Sequence, residues 1–315
     1  MRAGARLALY GAGVAAAFGA AFGLAGVVVP DSAVAAWEKG ASDAHGTASD
    51  AAHGEGDATA GHLPGGLSAE QGGLLLSPID APAVPGEDGV LSFQVLDPDG
   101  QPVTDYTTEH DKDLHLMVVR TDGQGFRHVH PALDDTGTWS LPWAWEQAGA
   151  YRVYADFTPA DAEDPVTLSR TVTVGGDVVP VETAPQRTDE VDGYTATLTG
   201  ELTAGTPGDL SIEITRDGEP VTTLEPYLGA FGHLVALREG DLAFLHVHPE
   251  GQEPEAGQSG GPEIRFAATA PTAGRYLLYL DFQIDGQVRT AEFVLDAAHA
   301  DADSAEHDDS PSEGH

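Results

Sequence analysis

Thirteen histidines and no cysteine leave imidazole as the strongest metal-ligating side chain in this 315-residue sequence. Six of them share one spacing. His115, His128 and His130 follow the pattern H-x12-H-x-H-P, and His233, His246 and His248 follow it again. Three neutral rings that share one face can gather around an ion at metal–nitrogen distances of about 2.0 to 2.1 Å, with one coordination position left for water, an anion or a partner's donor. Imidazole suits Cu(II) or Zn(II), whereas Ca2+ and Mg2+ are held by oxygen, and a blue-copper centre would need the cysteine this chain lacks. A single H-x-H is more often a pair of surface or core histidines. Two identical triads favour metal binding, because three same-face imidazoles each need a partner for their nitrogens. The remaining histidine of this region, His110 in Glu109-His110-Asp111-Lys112-Asp113, is a candidate fourth ligand of the first site.

A hairpin is the element that would bring each triad together. Asp122-Gly123 suits a two-residue type I′ turn, and Gly240-Asp241 suits type II′ at the equivalent register. Residues whose numbers sum to 245 then face each other in the first copy, and those summing to 481 in the second. His115 is thereby expected opposite His130 and His233 opposite His248, with His128 and His246 one diagonal step away on the same face. Met117 shares the His115 face but is replaced by Val235 in the second copy, so packing is its expected role. Asp156 and Asp281, in YADF and YLDF, could hold the outer N–H of a ligating ring. On so acidic a chain, solvent is the favoured expectation for both.

These hairpins belong to a larger duplication. LSFQVLDPDGQPV matches LSIEITRDGEPV, LHLMVVRTDGQGFRHVHP matches GHLVALREGDLAFLHVHP, and AGAYRVYADF matches AGRYLLYLDF, in the same order. Short alternating strands separated by Pro, Gly and Asp predict an all-β fold of two tandem immunoglobulin-like or cupredoxin-like β-sandwiches. Gly149-Ala150-Tyr151 and Gly274-Arg275-Tyr276 resemble the tyrosine-corner segment of immunoglobulin-like sandwiches, with Val153 and Leu278 where antibody domains carry cysteine. The expected boundaries are 67–175 for the first sandwich, 176–187 for a linker and 188–296 for the second. Residues 38–66 are read as a flexible acidic, histidine-bearing spacer and residues 297–315 as a tail of the same kind. Such segments could collect divalent ions weakly or serve only as solvated tethers.

Before the spacer, residues 7–29 run without a charge and follow Arg2 and Arg6. That length suits one transmembrane helix of about 20 residues with its N-terminus inside. Ala33-Val34-Ala35 offers the competing reading of a cleaved secretory signal, but a typical signal core is only about 7 to 15 residues, so a retained anchor within residues 1–37 is favoured. Either way the body is expected outside the cytoplasm. The balance of 14 Lys+Arg against 51 Asp+Glu, a net charge of −37, excludes nucleic acid as a partner.

HDKDLHLMVVRTDGQGFRHVHP, GTWSLP, AGAYRVYADFTP, LGAFGHLVALREGDLAFLHVHP and AGRYLLYLDF together resemble a family of exported, membrane-anchored bacterial proteins, common in actinobacteria, with paired His-x-His-Pro domains. The resemblance implies metal handling, and His110 in His-Asp-Lys matches the family's His-Glu-Lys-like opening. No H-E-x-x-H or phosphate-cradling motif accompanies the triads, so binding is expected rather than catalysis. A hydrolase using a water bound to a three-histidine metal is the weaker alternative. The expected function is an envelope metal-binding protein that buffers or delivers copper or zinc, in contact with the membrane and with a metal transporter or an oxidase assembly factor. The competing expectation is a non-metal adhesion or assembly module of tandem domains.

Overall fold

Alternation of apolar and polar residues sets the strands. In the computed structural model, which describes residues 65–300 apart from Glu163, His246 and Ala256 and leaves the side chain of His248 aside, every regular element is a strand. The expected anchor, nearly all of the spacer and most of the tail lie outside the described residues. Among those described, no helix is long and apolar enough to cross a membrane.

The first repeat runs through β1 (Glu70–Gln71), β2 (Leu74–Leu76), β3 (Gly89–Leu96), β4 (Tyr106–Thr107), β5 (His115–Arg120), β6 (Arg127–Val129), β7 (Ala132–Leu133), β8 (Thr138–Trp143), β9 (Gly149–Pro159) and β10 (Val166–Val174). One sheet has the order β1-β2-β3-β8-β7; the other is β10-β9-β5-β6, with β4 also paired to β9. Leu91, Phe93 and Val95 of β3 meet Leu116 and Val118 of β5 and Val153, Ala155 and Phe157 of β9 in one core. Both sheets thus bury one face against the other.

The second repeat runs through β11 (Thr188–Val191), β12 (Tyr194–Thr199), β13 (Leu202–Thr203), β14 (Pro207–Arg216), β15 (Glu219–Pro220), β16 (His233–Arg238), β17 (Phe244–Leu245), β18 (Val247–Pro249), β19 (Glu263–Thr269), β20 (Gly274–Ile284) and β21 (Gln287–Ala298). Its sheets are β11-β12-β14-β19-β18, with β15 on β14, and β13-β21-β20-β16-β17. Ile212, Phe266, Leu278, Phe282 and Phe293 lie in its core. Each repeat carries a tyrosine corner: the Tyr151 hydroxyl donates to the Gln147 carbonyl at 2.9 Å, and Tyr276 to Thr272 at 2.9 Å.

What positions the histidines is the outer face of β5. All six residues of this strand are buried, whereas a half-exposed strand would alternate. Leu116 and Val118 enter the first core, while Met117 and Val119 join Phe126 and Tyr154 in a third cluster with Val235, Leu237, Leu242, Leu277 and Tyr279 of the second repeat. The described residues form one compact unit, and this cluster fills the seam between its two repeats. The contacts are reciprocal. Phe126 stacks on Tyr279 with ring centroids 4.0 Å apart, and Phe244 lies 6.1 Å from Tyr154. The Tyr279 hydroxyl donates to the Gly123 carbonyl at 2.7 Å, and Tyr154 to the Leu242 carbonyl at 2.5 Å. Met117 and Val235 therefore pack as expected, but in the seam.

The predicted registers hold where the hairpins pair: Leu116 faces Val129 and Met117 faces His128 in the first, and Ala236 faces Leu245 in the second. The turns differ from the expectation. Gly123 (φ 85°) donates to the Arg120 carbonyl while Asp122 keeps a negative φ, a type I turn closed by a left-handed glycine. A Cβ at Gly123 would lie 2.7 Å from Leu277, so the seam also requires glycine there. The second hairpin closes by Arg238 N–H to Ala243 O around a four-residue loop, not a two-residue turn. A larger departure follows it. Val247–Pro249 leaves β16 and pairs with β19, so His248 is registered against Ala267 rather than opposite His233.

Candidate metal centre

Period-two alternation places His115 on the same face of β5 as Met117 and Val119, toward the second repeat. His128, directly across from Met117 on β6, takes that face too, and His130 follows two residues later. His115 Nδ1 lies 3.1 Å from His128 Nε2 and 3.2 Å from His130 Nε2. One nitrogen from each ring lies within 4.8 Å of the other two. A tetrahedral ion with bonds of about 2.0 to 2.1 Å has ligand atoms roughly 3.3 Å apart, so the separations suit shared coordination.

The outer nitrogens decide which atoms carry protons. His115 Nε2 lies 3.2 Å from the Glu109 carbonyl oxygen, which can only accept, so the proton of the neutral ring is on Nε2. His128 Nδ1 lies 2.9 Å from Asp281 Oδ2, and that contact places its proton on Nδ1. The facing atoms, His115 Nδ1 and His128 Nε2, are then both lone pairs. A proton between them would require a charged ring. Burial and the neighbouring His128 push His115 down to about 3, and His130 is likewise lowered to about 3, so both are neutral at neutral pH. A cation between the rings would relieve the opposed lone pairs.

Asp281 comes from β20 of the second repeat. It is 2% exposed, and its other oxygen accepts from the Thr290 hydroxyl at 2.6 Å. The expectation of solvent exposure therefore fails for Asp281: its alternation partner Tyr279 is in the seam, and Asp281 faces the same way. A carboxylate behind a ligating imidazole fixes its tautomer and orientation. Asp156, its counterpart on β9, accepts from the Thr167 hydroxyl at 2.5 Å.

His233 does not join the three converging nitrogens. Its Nε2–H donates to the carbonyls of Tyr227 (3.1 Å) and Leu228 (2.8 Å), and burial lowers it to about 4. Its ring centroid lies 6.4 Å from that of His128 and 5.2 Å from that of His110. His110 in turn lies 6.1 Å from His115, so it sits nearer to the second repeat's histidine than to the triad it was expected to complete. His246 lies outside the described residues, and His248 has only its backbone placed, on β18. Tyr227, 6.4 Å from His130 between ring centroids, was not singled out in the sequence. The signal that could have found the cross-repeat partners is the unbroken apolar run after each leading histidine, LMVV and LVAL, which requires a covered outer face.

No protein of curated function matches the chain. Among solved structures, alpha-2-macroglobulin from Salmonella aligns over 77% of this chain and 16% of its own at 16% identity and a TM-score of 0.25. Invasin, a bacterial integrin-binding protein, aligns over 71% of this chain and 39% of its own at 13% identity and a TM-score of 0.21. A putative membrane anchored protein from Corynebacterium diphtheriae aligns over 71% and 58% at 10% identity and a TM-score of 0.22. The chain thus spans less than two thirds of the length of each, and scores this low carry no functional argument. The family model described as "Domain of unknown function (DUF8832)" matches residues 73–176 and again 189–299, one match per repeat, and the chain belongs to that family.

Proposed function

We propose that this is a metal-binding protein of the cell envelope, holding Cu(II) or Zn(II) at His115, His128 and His130 and keeping one coordination position for an exchanging ligand. The observation that carries the reading is the pair of facing lone pairs at 3.1 Å, each fixed by a partner on the outer side of its ring. Burial keeps the His115 and His130 rings neutral and available at neutral pH, as ligation requires. Buffering or delivery fits better than catalysis, because the groups behind His115 and His128 hold the orientation of those rings for a bound ion. In this reading the segment over residues 7–29 tethers the body outside the membrane, and the acceptor is a transporter or an oxidase assembly factor.

The test is a Zn2+ and Cu2+ titration of the full chain. Tight binding of a first equivalent, a raised melting temperature and loss of both in His128→Ala/His130→Ala support the reading, since a ligand that binds only the folded state stabilises it. Unchanged melting with either ion would favour the non-metal assembly module instead.

A further inference from the structure

A second pair of histidines meets across the seam beside the triad. His110 comes from the turn before β5 of the first repeat, and His233 opens β16 of the second. Their ring centroids are 5.2 Å apart at an interplanar angle of 76°. Within the triad the corresponding separations are 5.0 to 5.3 Å. Rings at this spacing can share one ion.

The ring of His233 and the backbone of His110 are held in place. His233 spends its Nε2–H on the Tyr227 and Leu228 carbonyls, which leaves Nδ1 as its lone-pair atom. His110 occupies a left-handed backbone conformation (φ 50°), as does Asp111 (φ 63°), in a turn closed by paired hydrogen bonds between Glu109 and Lys112. Such backbone is uncommon for non-glycine residues, and its occurrence at a cluster of ligating side chains fits a site under constraint. The second repeat repeats this turn between Tyr227 and Ala230, with Leu228 and Gly229 in its centre. Leu228 stands where the first repeat has His110, so the pair exists on one side of the seam only.

The pair also lies in the wall common to two spaces. A cavity of about 170 Å3 touches His115 and His128 as well as His110 and His233. A wider cleft of about 740 Å3 touches His110 and His233 and is bordered by Glu250 and Glu253, and by Glu263 paired with Arg265. Carboxylates at its rim favour cations entering it.

We propose that His110 and His233 hold a second divalent cation at the base of this cleft, adjacent to the triad ion, so that the centre takes two ions and is built by both repeats. This rests on the triad reading for its first ion. Two imidazoles completed by water suit Cu(II), whose tetragonal preference accepts mixed nitrogen and oxygen donors.

Copper itself is the probe, read by electron paramagnetic resonance on the full chain. One equivalent of Cu2+ is expected to give an isolated spectrum that is lost in His128→Ala/His130→Ala. Two equivalents are expected to add dipolar broadening and a half-field line, the second of which reports only ions a few ångström apart. In His110→Asn, a residue that tolerates the left-handed turn, and in His233→Gln, the half-field line should fall at least tenfold while the one-equivalent spectrum stays unchanged. No coupling in the unaltered chain at two equivalents, or coupling that survives in both variants, overturns the proposal and leaves the triad reading standing. A first equivalent indifferent to His128→Ala/His130→Ala overturns the triad reading, and this proposal with it.

Discussion

The two repeats share a fold, a hairpin register and a histidine spacing, yet they place the histidines differently. In the first, the strand after the hairpin stays on β5 through Val129, and the chain reaches the opposite sheet only with β7 at Ala132. In the second, pairing with β16 ends at Leu245 and the chain is already on β19 at Val247. The crossing comes before the H-x-H-P segment is complete in one copy and after it in the other. A second difference lies beyond the crossing. The first repeat turns back tightly between Asp134 and Thr138, whereas residues 250–262 form the long acidic connection bordering the cleft in the second. Spacing sets which side chains can meet; the point at which the chain leaves its sheet sets which do.

Breaking the comparison at its strongest point means removing ligands from each copy in turn. His128→Ala/His130→Ala should reduce metal affinity to that of the histidine-bearing tails, while His248→Ala should leave the tight site intact, as read by competition with a chromophoric chelator. Equal losses would show that both triads ligate. On the seam, Phe126→Ala should lower stability by about 3–5 kcal/mol, because it removes a ring stacked at 4.0 Å. Phe244→Ala, whose ring lies 6.1 Å from Tyr154, should lose less in chemical denaturation.

Asp281→Asn should weaken metal binding roughly 10- to 100-fold by loosening His128, with Asp156→Asn nearer to the unaltered chain in the same titration. Tyr279→Phe and Tyr154→Phe each leave a buried carbonyl without its donor and should destabilise by about 1–3 kcal/mol. A marked inequality between them would show that the seam is less reciprocal than its hydrogen bonds suggest.

A different kind of effect concerns acid. His115, His130 and His233 have folded values near 3, 3 and 4 against an unfolded 6.5, so between those limits the unfolded chain binds more protons. Stability of the metal-free protein should therefore decline as pH falls from about 6.5 toward 4. His233→Gln and His115→Gln should each flatten that slope, measured by denaturant melts in chelator at pH 7, 6 and 5.

Much of this was legible in the residues. The three duplicated landmarks, the tyrosine corners at Tyr151 and Tyr276, and the pairing of Met117 with His128 all follow from local pattern and period-two alternation. The hairpin register survived although both turn types differed, because a bulge or a longer loop can close the same pairing. What local pattern does not encode is what covers a face. Asp281 reads as a solvent-facing carboxylate along its own strand, and only the approach of the first repeat makes it the partner of His128. The early crossing after Leu245 is equally silent, since the His-Val-His-Pro segments at 128–131 and 246–249 are identical. His110 was noticed but assigned to its own repeat, because nothing sequential links it to His233.

The reciprocal seam has one more consequence. Phe126 with Tyr279 and Phe244 with Tyr154 answer each other as the two halves of a self-associating surface do in a two-fold homodimer. Identical subunits must carry the same residue at both copies of every position. Fusing the halves into one polypeptide removes that identity, so histidine at 110 can confront leucine at 228, and a long acidic loop can grow on one half alone. The asymmetry of the centre is thus a freedom that tandem duplication grants and a symmetric dimer would be denied.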